Sequence, residues 1–148
     1  MPLLQVNNLH TYFKTRKGII KAVNDVSFTL DEGKTLGIVG ESGSGKSITA
    51  MSILRLLDDN GYIADGEILF REGEETLDLA RIQKEKMYTV RGNKISVIFQ
   101  EPMTALNPVF SVERQLREPF VIHKRLSKKQ AAEEARKMLA AVRIPNPK

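Results

Sequence analysis

Eight consecutive residues carry most of the chemistry in this chain: Gly40, Glu41, Ser42, Gly43, Ser44, Gly45, Lys46 and Ser47. They match G-x-x-x-x-G-K-[ST], the pattern of a loop that cradles phosphate groups. Glycines at 40, 43 and 45 let the backbone curl so that several N–H groups aim at one point. A helix opening at the end of the loop contributes its unpaired first-turn N–H groups and the positive end of its dipole. Lys46 is then a cation within reach of the terminal phosphates of a nucleoside triphosphate. Ser47 offers a hydroxyl that can hold a magnesium ion. A glycine-rich turn with an incidental lysine would lack the flanking elements this mechanism needs, so those elements decide between the two readings.

On the amino-terminal side, Thr35-Leu36-Gly37-Ile38-Val39 is short, apolar and bounded by glycines, as expected of a parallel strand covered on both faces. On the other side, Ser47 to Leu57 reads as a helix with Ala50, Ile53, Leu54 and Leu57 on one face and Met51 beside them. Asp58-Asp59-Asn60-Gly61 ends it, with Gly61 suited to a left-handed terminating residue. The first thirty residues look like antiparallel strands. Leu4, Val6 and then Leu9 suggest an edge strand, and Val26 to Leu30 alternates apolar and polar positions. Lys17-Gly18 and Asp31 to Lys34 supply turns. Gly66 to Phe70 reads as a further strand, and Ile95 to Phe99 as a second member of the central sheet.

Beyond residue 110 the texture is helical. Ser127 with Gln130 forms a capping-box pattern, followed at helical spacing by Ala131, Ala135, Met138, Leu139 and Val142. Glu133 stands four residues before Lys137, a favourable orientation for that pair, and Pro145 and Pro147 stop the helix. The expected division is antiparallel β at about 1–34 and 62–80, a phosphate-loop core at 35–60 and 94–101, and the start of a helical subdomain over 102–148.

Composition excludes several classes. The chain has 148 residues, 41% hydrophobic and 28% charged, values of an ordinary globular unit or part of one. No apolar run approaches the ~18 residues that span a bilayer, and the first residues do not form a signal peptide. Without cysteine there is neither a disulfide framework nor a thiolate metal site. The net charge of +5 invites a nucleic-acid reading. However, the basic clusters Lys14 to Lys17, His123 to Arg125 and Lys128-Lys129 are short, and no aromatic residues alternate with them. They read as solvated surface.

A second segment narrows the choice among phosphate-loop proteins. Phe99-Gln100-Glu101-Pro102-Met103-Thr104-Ala105-Leu106-Asn107-Pro108 closes an apolar run and opens a proline-punctuated loop. It resembles the glutamine loop of ABC-type ATPases, in particular the subgroup that energises import of dipeptides, oligopeptides or nickel. Ala22 to Phe28, Leu36 to Ser42 and Val142 to Pro145 are similar to that subgroup as well. Glu101 in place of the commoner Asp, and Ala105 in place of Ser, are slight departures.

The resemblance implies an α/β fold, a partial P-loop NTPase core of ABC type with an antiparallel β subdomain on the amino-terminal side. It implies ATP and Mg2+ as cofactors. Glu41, Ser42, Gly43, Ser44, Gly45, Lys46, Ser47 and Ile48, with Ala22, would line the nucleotide site. Gln100 and Ser47 would stand at the metal, and Lys46 and Gln100 would serve hydrolysis. A ring upstream of the loop would stack on adenine: Phe13, with Tyr12 as the neighbour in reserve. A glutamine amide suits its place because it donates and accepts hydrogen bonds without titrating.

Partners would be transmembrane permease subunits, a second ATPase subunit and, indirectly, an extracellular solute-binding protein, with no nucleic acid. The chain would sit peripherally at the cytoplasmic face of the membrane. The family's later carboxylate pair, histidine and Leu-Ser-Gly-Gly-Gln signature have no counterpart here. The chain is therefore expected to be the amino-terminal half of an ATPase, inactive by itself. A soluble non-transport ATPase of the same type, or a nucleotide-binding module without turnover, are the other readings.

Overall fold

In the computed structural model residues 2–100 and 106–145 are described. Glu101 to Ala105, which carry half of the proline-punctuated loop, and Pro147 lie outside them. The first strand, β1 (Leu4–Thr15), pairs antiparallel with β2 (Gly18–Leu30) and with β3 (Gly61–Glu72), and β3 with the short β4 (Glu75–Asp78). The sheet order is β2-β1-β3-β4. β1 is thus an interior strand, not the edge strand that the spacing of Leu4, Val6 and Leu9 suggests.

The reason lies at Asn8. Its φ of 45 marks an extra residue in β1, and the register shifts there against both neighbours. A bulge of this kind moves the two-residue alternation by one. Leu4 and Val6 are therefore followed by Leu9 and Thr11, and all four are buried. Ile68 and Phe70 join them from β3 and Val23 from β2. Each fully buried Leu, Ile or Val contributes about 1.5–3 kcal/mol relative to exposure. Gly66 faces this bulge with φ 96, and a Cβ there would strike the Asn8 carbonyl.

Helix α1 (Lys46–Ile53) is shorter than its pattern predicts. It ends in a Schellman arrangement: Arg55 N–H donates to the Ser52 carbonyl (3.0 Å) and Leu56 N–H to the Met51 carbonyl (2.9 Å). The left-handed residue is Arg55, φ 51, and Gly61 has no positive φ. Gly61 is needed for room instead, because a Cβ there would lie 2.7 Å from Phe13 Cε1. The buried side chains of α1 are Thr49 and Ser52, while Ala50 is exposed.

Neither apolar run expected in a central parallel sheet forms a strand among the described residues. Thr35 to Val39 has no strand pairing, and Val39 is 93% exposed. Ile95 makes one isolated bridge to Arg91, and Ile98 is 97% exposed. A parallel strand takes its hydrogen bonds from strands on both sides. Among the described residues the four strands pair only with one another.

The chain divides into two units, Met1–Met87 and Tyr88–Lys148, with α2 (Lys84–Val90) running across the division. In the second unit α3 (Val112–Lys124) packs against α4 (Lys128–Ala141). Ser111 caps α3 by accepting from Arg114 N–H, and Ser127 with Gln130 completes a reciprocal capping box on α4. The buried face of α4 is Ala131, Ala132 and Ala135, whereas Met138 and Val142 are exposed. The helix stops before Pro145, at Arg143 with φ 61, whose N–H donates to the Ala140 carbonyl at 2.9 Å. Lys137 pairs with Glu134 at 2.7 Å rather than with Glu133. Among the described residues no helix is long and apolar enough to cross a membrane.

Candidate nucleotide-binding site

The loop from Gly40 to Gly45 hangs between the exposed run 35–39 and α1, and two of its glycines adopt conformations other residues avoid. Gly43 has φ 80 and Gly45 φ 90. Gly45 is also the N-cap of α1, with no side chain capping the helix. The first-turn N–H groups of α1 therefore open onto the loop, where an anion satisfies them best.

Gly45 is constrained a second time. A Cβ on it would come 2.5 Å from the Ala22 carbonyl oxygen and 3.7 Å from Val23 Cγ2. The loop's last residue thus rests directly on β2, which accounts for Ala22 beside the loop. Gly40 closes the other end, where a Cβ would meet Ser44 Oγ at 2.7 Å.

Lys46 folds back over this curl. Its Nζ donates to the carbonyls of Gly40 and Glu41, both at 2.7 Å, and to Ser44 Oγ at 3.4 Å. The ammonium group is thereby held above the loop rather than in solvent. Glu41, Ser42, Gly43, Ser44 and Ser47 are exposed, while Lys46 and Ile48 are half-buried.

These residues suit a nucleotide's phosphates: the first turn of α1 has no side-chain cap, Gly40 and Gly45 leave no room for a Cβ, and Lys46 supplies a cation. No group of three or more His, Cys, Asp or Glu side chains converges among the described residues. A magnesium ion at Ser47 would therefore draw most of its oxygens from phosphate and water.

The two candidate rings fall on different faces of the sheet. Phe13 pairs with Ile20 and Gly61 and lies two residues beyond Thr11, whose hydroxyl meets Ser52 of α1 at 2.8 Å. It therefore faces the side on which α1 and the loop rest. Tyr12 faces away: its ring stands edge-on to Tyr62 at 6.3 Å and to His10 at 6.0 Å, with Lys21 Nζ 5.5 Å from its centre. Lys14 likewise lies 5.2 Å from the Tyr62 ring. Basic and aromatic residues are thus interleaved on this face, which their spacing in sequence does not reveal.

Gln100 is exposed in a bend of the second unit. The first unit sets Ala22 against Gly45 of the loop that runs from Glu41 to Ile48, and puts Phe13 beside Gly61, beyond the other end of α1. Reading the sequence overlooked Thr11, Thr49 and Ser52, all buried against one another's elements. Hydroxyl residues three apart in a helix otherwise rich in apolar residues were the available signal.

Residues 23–148 match the family model described as ABC transporter. The chain is 48% identical over 147 residues to the oligopeptide transport ATP-binding protein OppD of Haemophilus influenzae, covering 99% of this chain and 44% of that protein. It is 48% identical over 146 residues to the dipeptide transport ATP-binding protein DppD of Bacillus subtilis, covering 98% of this chain and 42% of the other. It thus spans less than half the length of these relatives. Among solved structures, a dimeric bacterial ABC transporter cassette superposes with a TM-score of 0.75 at 19% identity, covering 97% of this chain and 58% of that one.

Proposed function

The chain belongs to the ABC transporter family, and from that membership we propose that it is the nucleotide-binding portion of an ATP-hydrolysing subunit that powers peptide import. The observation that carries this reading is the loop itself: Gly45 pressed against Ala22, the uncapped start of α1, and Lys46 folded over the curl. The names of its relatives support peptides as the solute class. The β parts at 1–34 and 62–80, the core at 35–60 and 94–101 and the helical part from 102 follow the same reading.

Within the site, N–H groups at Gly43 to Ile48 hold the β- and γ-phosphates. Lys46 exchanges two neutral carbonyl acceptors for charged phosphate oxygens, a stronger class of hydrogen bond. Ser47 would help hold a magnesium ion, which would supply charge neutralisation for phosphoryl transfer. Gln100, by the same family membership, would supply a non-titrating amide for hydrolysis. Phe13 is the ring for adenine, and its face of the sheet supports it over Tyr12. Permease subunits and a second copy of the ATPase are the partners of the complete protein. It works at the cytoplasmic face of the membrane.

Magnitudes order the contributions. Hydrogen bonds to charged groups provide about 1.5–3 kcal/mol each. One ring stack provides about 1–3 kcal/mol. Several phosphate contacts therefore outweigh the ring. Titration of the protein with labelled ATP tests this ranking: Lys46→Ala abolishes measurable binding, while Phe13→Ala weakens it by a factor of tens at most. Equal losses in the two variants would overturn the assignment.

A further inference from the structure

We infer that Thr11 is a positioning residue for nucleotide binding, tying the strand that bears Phe13 to the helix that opens the phosphate loop. The inference rests on the site proposed above and concerns how its two halves are held in step.

Thr11 is fully buried, as is Ser52, and Thr49 nearly so. The hydroxyls of Thr11 and Ser52 are linked in a fixed order, and that of Thr49 bonds separately to the loop. Ser52 Oγ donates to the Ile48 carbonyl at 2.6 Å, and Thr11 Oγ1 stands 2.8 Å from Ser52 Oγ. A serine hydroxyl has one proton, and here it goes to Ile48. Thr11 is then the donor and Ser52 the acceptor. Thr49 Oγ1 donates to the Gly45 carbonyl at 3.0 Å, anchoring the other end of the short helix to the loop.

The buried side of α1 thus offers the sheet hydroxyls where a helix ordinarily offers aliphatic groups. Apolar contact is non-directional and tolerates sliding, whereas a buried hydrogen bond fixes distance and angle. Phe13 follows Thr11 by two residues on the same face. A bond from residue 11 to the turn of α1 that begins at Ile48 therefore sets the separation between ring and phosphate loop. ATP, which would touch both, reads that separation. Inorganic tripolyphosphate touches only the loop.

Thr11→Val tests this with little disturbance. Valine keeps the shape, and Ser52 keeps its own acceptor. In the full protein, the variant should lose about three- to tenfold in ATP affinity, as expected for one hydrogen bond's worth of misalignment. Tripolyphosphate affinity should stay unchanged, and Thr11→Ser should restore ATP binding. Placed on Phe13→Ala, the Thr11→Val change should cost ATP nothing further. Equal weakening of ATP and tripolyphosphate, or no weakening of either, would overturn the inference. If Phe13→Ala itself fails to separate the two ligands, the adenine assignment fails and the tie falls with it. If Lys46→Ala leaves tripolyphosphate bound, the phosphate site itself is wrong.

Discussion

Gly45 meets two independent demands, and they make it the least replaceable residue of the loop. Its φ of 90 lies where L-residues are strained, and a Cβ would strike the Ala22 carbonyl at 2.5 Å. Backbone strain of that kind amounts to about 1–3 kcal/mol. The rigid backbone on the other side leaves no side chain to move aside. Gly45→Ala is therefore expected to lower the melting temperature and to abolish ATP binding together, as read by calorimetry. Gly61 differs, because it has an ordinary φ and lacks only space. Gly61→Ala should displace the Phe13 ring, which lies 2.7 Å from the added Cβ. Its expected signature is weaker ATP binding with tripolyphosphate unaffected. The loop residues were legible because their pattern is dictated by backbone conformation. The strand pattern puts Phe13 before Tyr12, but the bulge five residues upstream that sets their faces was not legible.

At the scale of elements, a signal confined to one turn held at Ser127, while the two runs that need parallel neighbours formed no strand. The Ser127–Gln130 box formed as its spacing predicts, because both partners lie within one turn. Replacing Ser127 with Ala should destabilise α4 by about 1 kcal/mol, seen as faster amide exchange over residues 128–131. The apolar face expected for α4 instead narrowed to three alanines, with Met138 and Val142 exposed. Glu134 took Lys137 as its partner. A hydrogen bond and the charge of that ammonium hold its carboxyl below the ordinary value. A depressed carboxyl contributes stability above its unfolded pKa and loses it as pH falls through the folded one. Glu134→Gln should therefore flatten the acid side of the melting curve against pH. Runs 35–39 and 95–99 have the composition of parallel strands, yet a strand is made by its neighbours, which local pattern cannot supply.

For the molecule as a whole, those two runs are the main liability. Ile38, Val39, Ile98 and Phe99 present large apolar surfaces, and unpaired strand-like segments favour association. A polypeptide of these 148 residues alone should scatter light and bind hydrophobic dyes at micromolar concentration. In a longer protein of the relatives' length, the amides of 36–39 and 96–99 should become among the slowest to exchange. The fold class was legible because the loop and the antiparallel strands carry it without the remainder. Asn8, finally, works as a frame setter. Were the strand straightened there with every residue kept, strict alternation would run through β1 and trade the sides of positions 12 and 13, so that a phenol rather than a phenyl ring would face α1.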